Sequence, residues 1–267
     1  MKSKSLILSV LPLTLMLAPL TSHAQEITTE FPDAQQLTKN AQDSSITIDE
    51  LFQSIEAAHQ DFQSVSTYTQ CDIVLNQDGG EITSHLDHTG HVMYDDNKDV
   101  LAMYSLTESS TDNEDNFGEA IVTTDDPHNF HFRNGKEEDF QTQELVDGTY
   151  ATINPDYVKL LEAMISVKDD LKVSESEDQY LLTIANPEGP FLEAFQEQYS
   201  IDFTVPEGAE LVQDAVIAIN KNTHYIDSIS LNFTYQMDGQ DLVAMHIQTV
   251  ANQWNEVTDE QINSHLP

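Results

Sequence analysis

The residues best suited to chemistry lie in one short stretch, His85-Leu86-Asp87-His88-Thr89-Gly90-His91. On an extended strand alternate side chains share a face, so His85, Asp87, Thr89 and His91 project to one side and His88 to the other. An imidazole and a carboxylate so placed can share a zinc ion, which takes about three or four protein ligands. His91 is too distant along a regular strand to join them unless Gly90 introduces a bulge. His128 and His131 are further donors from a neighbouring segment. The candidate metal ligands are therefore His85, Asp87 and His91, weighed against a plain polar strand face turned to solvent.

Other constellations are weaker. Asp95-Asp96-Asn97-Lys98-Asp99 has the look of a calcium loop but lacks the later glycine and the bidentate glutamate. Carboxylates are so abundant that paired acids carry little information. No serine elbow or glycine-rich phosphate cradle occurs. Cys71, the only cysteine, opens the apolar-leaning Cys71-Asp72-Ile73-Val74-Leu75 and reads as a packed small residue. No catalytic residue and no cofactor are expected.

The elements that must position these residues follow from periodicity. Thr47-Ile48-Asp49-Glu50 is a capping box, and Ile48, Leu51, Phe52, Ile55, Ala58, His59 and Phe62 form one helical face behind it. From about residue 66 the period becomes two, giving strands over 66–76, 80–94, 99–107, 117–124 and 128–133 with turns at Asp78-Gly79-Gly80, Asp95-Asp96-Asn97 and Thr111 to Asn116. Asn154-Pro155 predicts a second helix, with Asn154 as cap and Tyr157, Leu160, Leu161, Met164 and Ile165 on its apolar face. Tyr180, Leu182 and Ile184 alternate as a strand, and a third short helix carries Phe191, Leu192, Phe195 and Tyr199. Two long strands then meet at Asp238-Gly239, a hairpin signal, and the return strand's phase slip near Thr249–Val250 predicts a bulge.

Composition limits the partners. Lys2 and Lys4, the apolar run Leu6 to Leu20 and Ser22-His23-Ala24 read as a secretory signal cleaved near Ala24. Cleavage leaves 8 cationic residues against 47 acidic ones, a formal charge of −39. Such a charge repels nucleic acid and anionic bilayers and favours a soluble monomer. The expected organisation is a signal at 1–24, a flexible polar arm at 25–44, one domain at 45–257 and a tail at 258–267.

The order of elements, carried by Ile48 to Phe62, the strand at Tyr68–Gln77 and Ala215-Val216-Ile217-Ala218-Ile219 with Ile226-Asp227-Ser228-Ile229, resembles the bacterial lipoprotein-carrier fold of LolA-type carriers and LppX/LprG-type lipoproteins. The resemblance covers about 45–257. It implies an α+β protein with a strongly curved antiparallel sheet, a half-barrel, and about three helices on its concave face. In such proteins acyl chains can lie between sheet and helices. This chain departs from the pattern in having no cysteine for lipid attachment after its signal, so tethered shuttling is not implied. The expectation is an exported, non-catalytic protein binding a lipid or other apolar molecule, with Leu161, Met164, Phe195, Ile229, Phe233 and Met245 lining the pocket, weighed against an ordinary filled core. Further aromatics for that wall are Phe191, Tyr199, Phe203, Tyr225, Tyr235 and Trp254. The alternatives are an acidic interaction module docking a basic partner and a metal protein using the histidine segment.

Overall fold

The computed structural model describes residues 31–77, 80–111, 114–124, 129–146, 151–201 and 205–267. The signal at 1–24, the start of the arm, Asp78-Gly79, His128 and Phe203 lie outside the described residues. The elements are α1 (Ala34–Lys39), β1 (Gln42–Asp43), α2 (Ile48–Ala58), β2 (Ser64–Gln77), β3 (Gly80–Tyr94), β4 (Val100–Thr111), β5 (Asp115–Val122), β6 (Asn129–Arg133) and β7 (Gln141–Glu144). They continue with α3 (Tyr157–Ser166), β8 (Leu171–Glu175), β9 (Gln179–Ile184), α4 (Phe191–Phe195), β10 (Glu210–Asn220), β11 (Ile226–Met237), β12 (Gln240–Asn252) and α5 (Asp259–Asn263). The fold is α+β. All twelve strands join one antiparallel sheet in the order β1-β8-β9-β10-β11-β12-β2-β3-β4-β5-β6-β7, not closed into a barrel.

Local chemistry sets the ends of these elements. The Thr47 box forms in full: Glu50 N–H donates to Thr47 Oγ1 at 3.3 Å, and Thr47 N–H donates to Glu50 Oε2 at 2.8 Å. The hairpin at Asp238-Gly239 has φ of 52° and 78°, the two left-handed conformations that a tight primed turn requires. The second helix starts later than Asn154-Pro155 predicts. Asp156 is the cap, because its carboxylate accepts from the N–H groups of Val158 and Lys159 and fixes Tyr157 as the first helical residue.

Register puts one set of side chains inside. Leu182, Ile217, Ile229, Ile247, Cys71, Leu86, Val92, Met103 and Val122 share the inner face across successive strands. They join Leu51, Phe52 and Ile55 of α2, Tyr157, Leu160 and Met164 of α3, and Phe191 and Phe195 of α4 in one core. That core draws on every strand from β8 to β6. At about 4.8 Å per strand a flat sheet would spread these ten strands over roughly 43 Å, far beyond the reach of three short helices. The sheet is therefore strongly curved around α2, α3 and α4. Register shifts occur at Ala218/Ile219, Tyr235/Gln236 and Met93/Tyr94. The Thr249–Val250 bulge does not form: β12 pairs with β2 without interruption from Val243 to Asn252. The change of phase there comes from Val250 being buried on the opposite face instead of exposed.

The outer face is covered at two places, both by segments expected to lie outside the domain. Within 25–44, α1 is capped by the Asp33 carboxylate and, with Ala34, Leu37 and Ala41, covers Leu181, Val216 and Ala218. β1 pairs with β8 at the sheet edge. Within 258–267, Ile262 of α5 and the adjoining Leu266 pack with Val257 on Ala102, Tyr104 and Ile121. Short apolar clusters of this size leave weak periodicity, and they are read only once the strand beneath them is known. Among the described residues no helix is long and apolar enough to cross a membrane.

Replacing Thr47 by Ala removes a cap bond and opens the box, which costs about 1 kcal/mol. Urea unfolding should show a lowered midpoint with an unchanged slope, and an unchanged midpoint would show that α2 is held by its packing alone.

Candidate functional site

The inner face gathers all six predicted pocket residues. Leu161 and Met164 descend from α3, Phe195 from α4, and Ile229, Phe233 and Met245 rise from the sheet, with Phe233 directly opposite Met245. All six are buried in the same core. Phe195 stacks on Phe191 at 4.8 Å, and Tyr225 stacks on Trp254 at 5.7 Å nearer α2. Toward the β2–β3 turn the same face runs out from under its helices. Along β2 it passes from buried Cys71 to half-buried Ile73 and Leu75, and along β3 from half-buried Leu86 to Ile82, which is 38% exposed. Along β11 it passes from Phe233 through half-buried Tyr235 to Met237, 37% exposed. The result is an apolar surface, partly covered, continuous with the core.

On β12, β2, β3 and β4 the inner face turns polar between its covered and uncovered parts, so the apolar surface is continuous with the core along β11, through Ile229, Leu231 and Phe233. Thr249, Thr69, His88 and Thr107 form one cross-strand row, and Ala251, Thr67, Gly90 and Ser105 the next. Thr69 and Thr249 share a hydrogen bond of 2.8 Å, and Thr249 another with Tyr199 Oη at 3.1 Å. His88 Nε2 lies 3.1 Å from Ser105 Oγ. Burial alone pushes the His88 imidazole down to about 4. The sequence alone places His88 on the opposite face from His85 and His91. The available signal was His88 in phase with Leu86 and Val92, and Thr67 and Thr69 in phase between Val65 and Cys71.

The metal candidates separate. His85 Nδ1 lies 2.6 Å from Asp72 Oδ1, and its Nε2 lies 3.1 Å from Asp87 Oδ2. The hydrogen bond to Asp72, and then the charge of Asp87, raise the affinity of this half-exposed imidazole for a proton. Tyr68 Oη donates to Asp87 at 2.8 Å, so both carboxylates are already engaged. His91 lies further along the same face beneath α5, where its Nδ1 meets Ser66 Oγ at 2.7 Å and its ring stacks on Tyr104. His131 pairs with Thr142 on β7. Among the described residues no three His, Cys, Asp or Glu side chains are arranged to hold a metal ion.

His85 and Asp87 instead border a cleft of about 520 Å³ on the outer face, with Glu108, Asp115, Asn116, Phe117 and Lys136 among its walls. Its size suits a small molecule, and polar and charged side chains surround Phe117 in its walls. Ser66 and His91 have the residue types of a nucleophile and base, but the serine is fully buried and donates its proton to Gln253 Oε1 and not to the imidazole. Cys71 is buried as well, and burial pushes its thiol up to about 12, where no nucleophilic thiolate forms at neutral pH.

A buried neutral histidine makes a fold sensitive to acid. The unfolded chain binds a proton below about pH 6.5, whereas folded His88 resists until about 4. The contribution of His88 is thus complete above pH 6.5 and is lost on acidification through that window. His91, held down to about 4 by burial and by the neighbouring His265, acts the same way, while buried Asp156 and Asp227, raised by burial, act in the opposite sense. Scanning calorimetry between pH 7 and 4.5 should therefore show a steeper fall in Tm for the native chain than for His88→Leu. Parallel slopes would refute the assignment.

No family model matches the chain, and no curated protein does. Among solved structures it is similar to a DUF1329 family protein from Desulfovibrio piger, at 10% identity and a TM-score of 0.25, over 84% of this chain and all of that one. It is also similar to a β-barrel-like protein of domain of unknown function DUF1849 from Brucella abortus, at 11% identity and a TM-score of 0.23, over 72% of this chain and 99% of that one. At these scores neither likeness carries an argument about function.

Proposed function

We propose that the protein is an exported, non-catalytic binding protein that takes up a lipid or similar apolar ligand on the inner face of its curved sheet. One observation carries this reading: the apolar inner face is longer than its helical cover. Ile73, Leu75, Ile82, Leu86, Tyr235 and Met237 extend the core surface into solvent at the β2–β3 end. A contiguous apolar surface of this kind costs free energy in water and marks a place where an apolar partner is received. Met245, at the inner edge of that surface, is an adaptable wall residue. The ligand's chain lies over Leu86 and Ile73 and reaches toward Phe233 and Met245, while Leu161, Met164 and Phe195 form the far wall. The resemblance to lipoprotein carriers points the same way, with a diffusible monomer in place of a tethered one. The signal at 1–24 and the acid excess suit a soluble protein outside the cell.

Native mass spectrometry after mild purification should find an apolar adduct of a few hundred daltons, removable by organic extraction. Leu86→Glu, at a half-buried position, should fold and lower occupancy at least about tenfold, because a carboxylate on the path is costly to bury. A bare protein in the wild type, with no uptake of added lipid, would overturn the reading.

A second reading concerns the outer face. Of the acids around the 520 Å³ cleft, Asp87 is engaged by His85 and Tyr68 and Glu108 is paired with Lys136, which leaves Asp115 as the carboxylate to meet a basic partner. A lysine-rich peptide should then bind with an affinity that falls steeply with salt and that drops further in Asp115→Asn. Salt-independent binding, or none, would exclude it.

A further inference from the structure

The polar band across the inner face breaks the rule that the rest of the sheet obeys. On the outer side of the band the row Ile247, Cys71, Leu86 is apolar, and beyond it inward the row Val65, Val92, Met103 is apolar again. Between them, Thr67, Thr69, His88 and Thr249 are each no more than 2% exposed. A buried polar atom is tolerable when it has a partner, and Thr69, Thr249 and His88 Nε2 have theirs. Thr67 Oγ1 and His88 Nδ1 have none. Each such orphan keeps its full desolvation cost with no hydrogen bond to offset it. A fold that keeps two of them side by side gives up stability that valine and leucine would supply, and departures of this kind concentrate where a protein binds something.

The two orphans converge. An ideal Cβ built on Gly90 would lie 3.0 Å from Thr67 Oγ1, 3.2 Å from His88 Cε1 and 3.0 Å from Ile153 Cδ1. The hydroxyl and Cε1, the ring carbon bonded to Nδ1, therefore both border the Gly90 backbone, and Ile153 closes the space above it, so a head group reaches them only by displacing Ile153. Leu86 stands one position along the same face toward the open end, so the pair sits where the apolar path ends.

Their chemistry selects a head group. A neutral imidazole offers one donor and one acceptor, and a threonine hydroxyl offers both. Groups facing them are Thr69, Ser105, Thr107 and Ile153, none of them charged, so a buried anion or ammonium would find no counter-charge. A hydroxyl, which gives one hydrogen bond and takes another, matches both orphans at once.

We infer that Thr67 and His88 are the head-group anchor of this site and hold the uncharged hydroxyl end of a single-chain amphiphile whose hydrocarbon runs out along Cys71, Leu86 and Ile73. The inference rests on the apolar-ligand reading above and specifies which end enters first. It predicts a preference for alcohols over equally long molecules without an O–H.

The test is displacement of the neutral dye N-phenyl-1-naphthylamine by 1-dodecanol and by its methyl ether, in the full chain and in Thr67→Val and His88→Leu. The alcohol should bind the native protein about tenfold more tightly than the ether, the value of one hydrogen bond kept or lost. The preference should shrink below about threefold in Thr67→Val or in His88→Leu, whichever removes the group that accepts the alcohol's O–H, since the ether oxygen can only accept. The Tm of ligand-free Thr67→Val should hold or rise, since an unpartnered hydroxyl leaves the core. Equal binding of alcohol and ether, or a preference that survives in both variants, would overturn the anchor and leave the apolar site standing. A clear fall in the Tm of Thr67→Val would also overturn it, by showing the hydroxyl satisfied in the free protein by water. Should neither compound displace the dye, while the dye itself binds the native protein no better than it binds Leu86→Glu, the apolar site fails and the anchor with it.

Discussion

Everything in this molecule depends on the register of the long ladder β10-β11-β12-β2-β3-β4. Side-chain direction in a strand has period two, so a slip by one residue at any of these pairings would turn the whole apolar set outward. With the observed pairing, Ile217, Ile229, Ile247, Cys71, Leu86 and their partners meet α2, α3 and α4 inside the curve, while Asp72, Asp87, Asn232 and His246 point out. The chain carries 47 acidic residues and only 10 lysines and arginines, so self-repulsion opposes compaction. An acid turned into the core would compound that cost, which makes the correct register the one arrangement with a wide margin over its neighbours.

Long, one-sided patterns were legible in the sequence because burial writes them strongly. The Thr47 box, the meander from residue 66 and the Asp238-Gly239 hairpin all form where the residues indicate. What the sequence hid is short or two-sided. α5 buries Ile262 and α1 half-buries Leu37, each with a few neighbours, and β1, β7 and β8 run for two, four and five residues. Where a strand is covered on both faces, as at Val250 under neither solvent nor the main core, alternation vanishes and reads as a bulge that does not exist. The site follows the same logic. The six apolar residues proposed for a pocket share a core because core residues of three helices and a sheet must meet, while Thr67 and His88 stood out only after pairing placed them in one cross-strand band.

The inner face thus carries a conflict between two demands. Curvature closes an apolar surface around three helices, and that closure is complete over Val65, Val92, Met103 and Val122. The long β2–β3 hairpin then continues beyond the cover, with Ile82 and Leu75 opposite each other at its far end. A protein selected for stability alone would shorten that hairpin or make its inner residues polar, as most of its outer residues already are. Retaining apolar side chains there, and polar ones deeper in, inverts the usual gradient from wet rim to dry core. That inversion fits an amphiphile entering head first.

The three histidines of β3 show how far position overrides residue type. His85, His88 and His91 lie within seven residues of one another on one strand. His85 faces outward between Asp72 and Asp87 and is held toward its charged form. His88 faces inward, loses its solvent and stays neutral. His91 faces outward again, yet α5 and His265 cover it, and it too stays neutral. Parity decides which side each ring takes, and the cover on that side decides its charge. A histidine-rich segment in a sequence therefore says little about metal until both are known. Here they divide the three rings among an acidic cleft, a buried band and a packed outer layer, and a ligand site can draw on only one ring at a time.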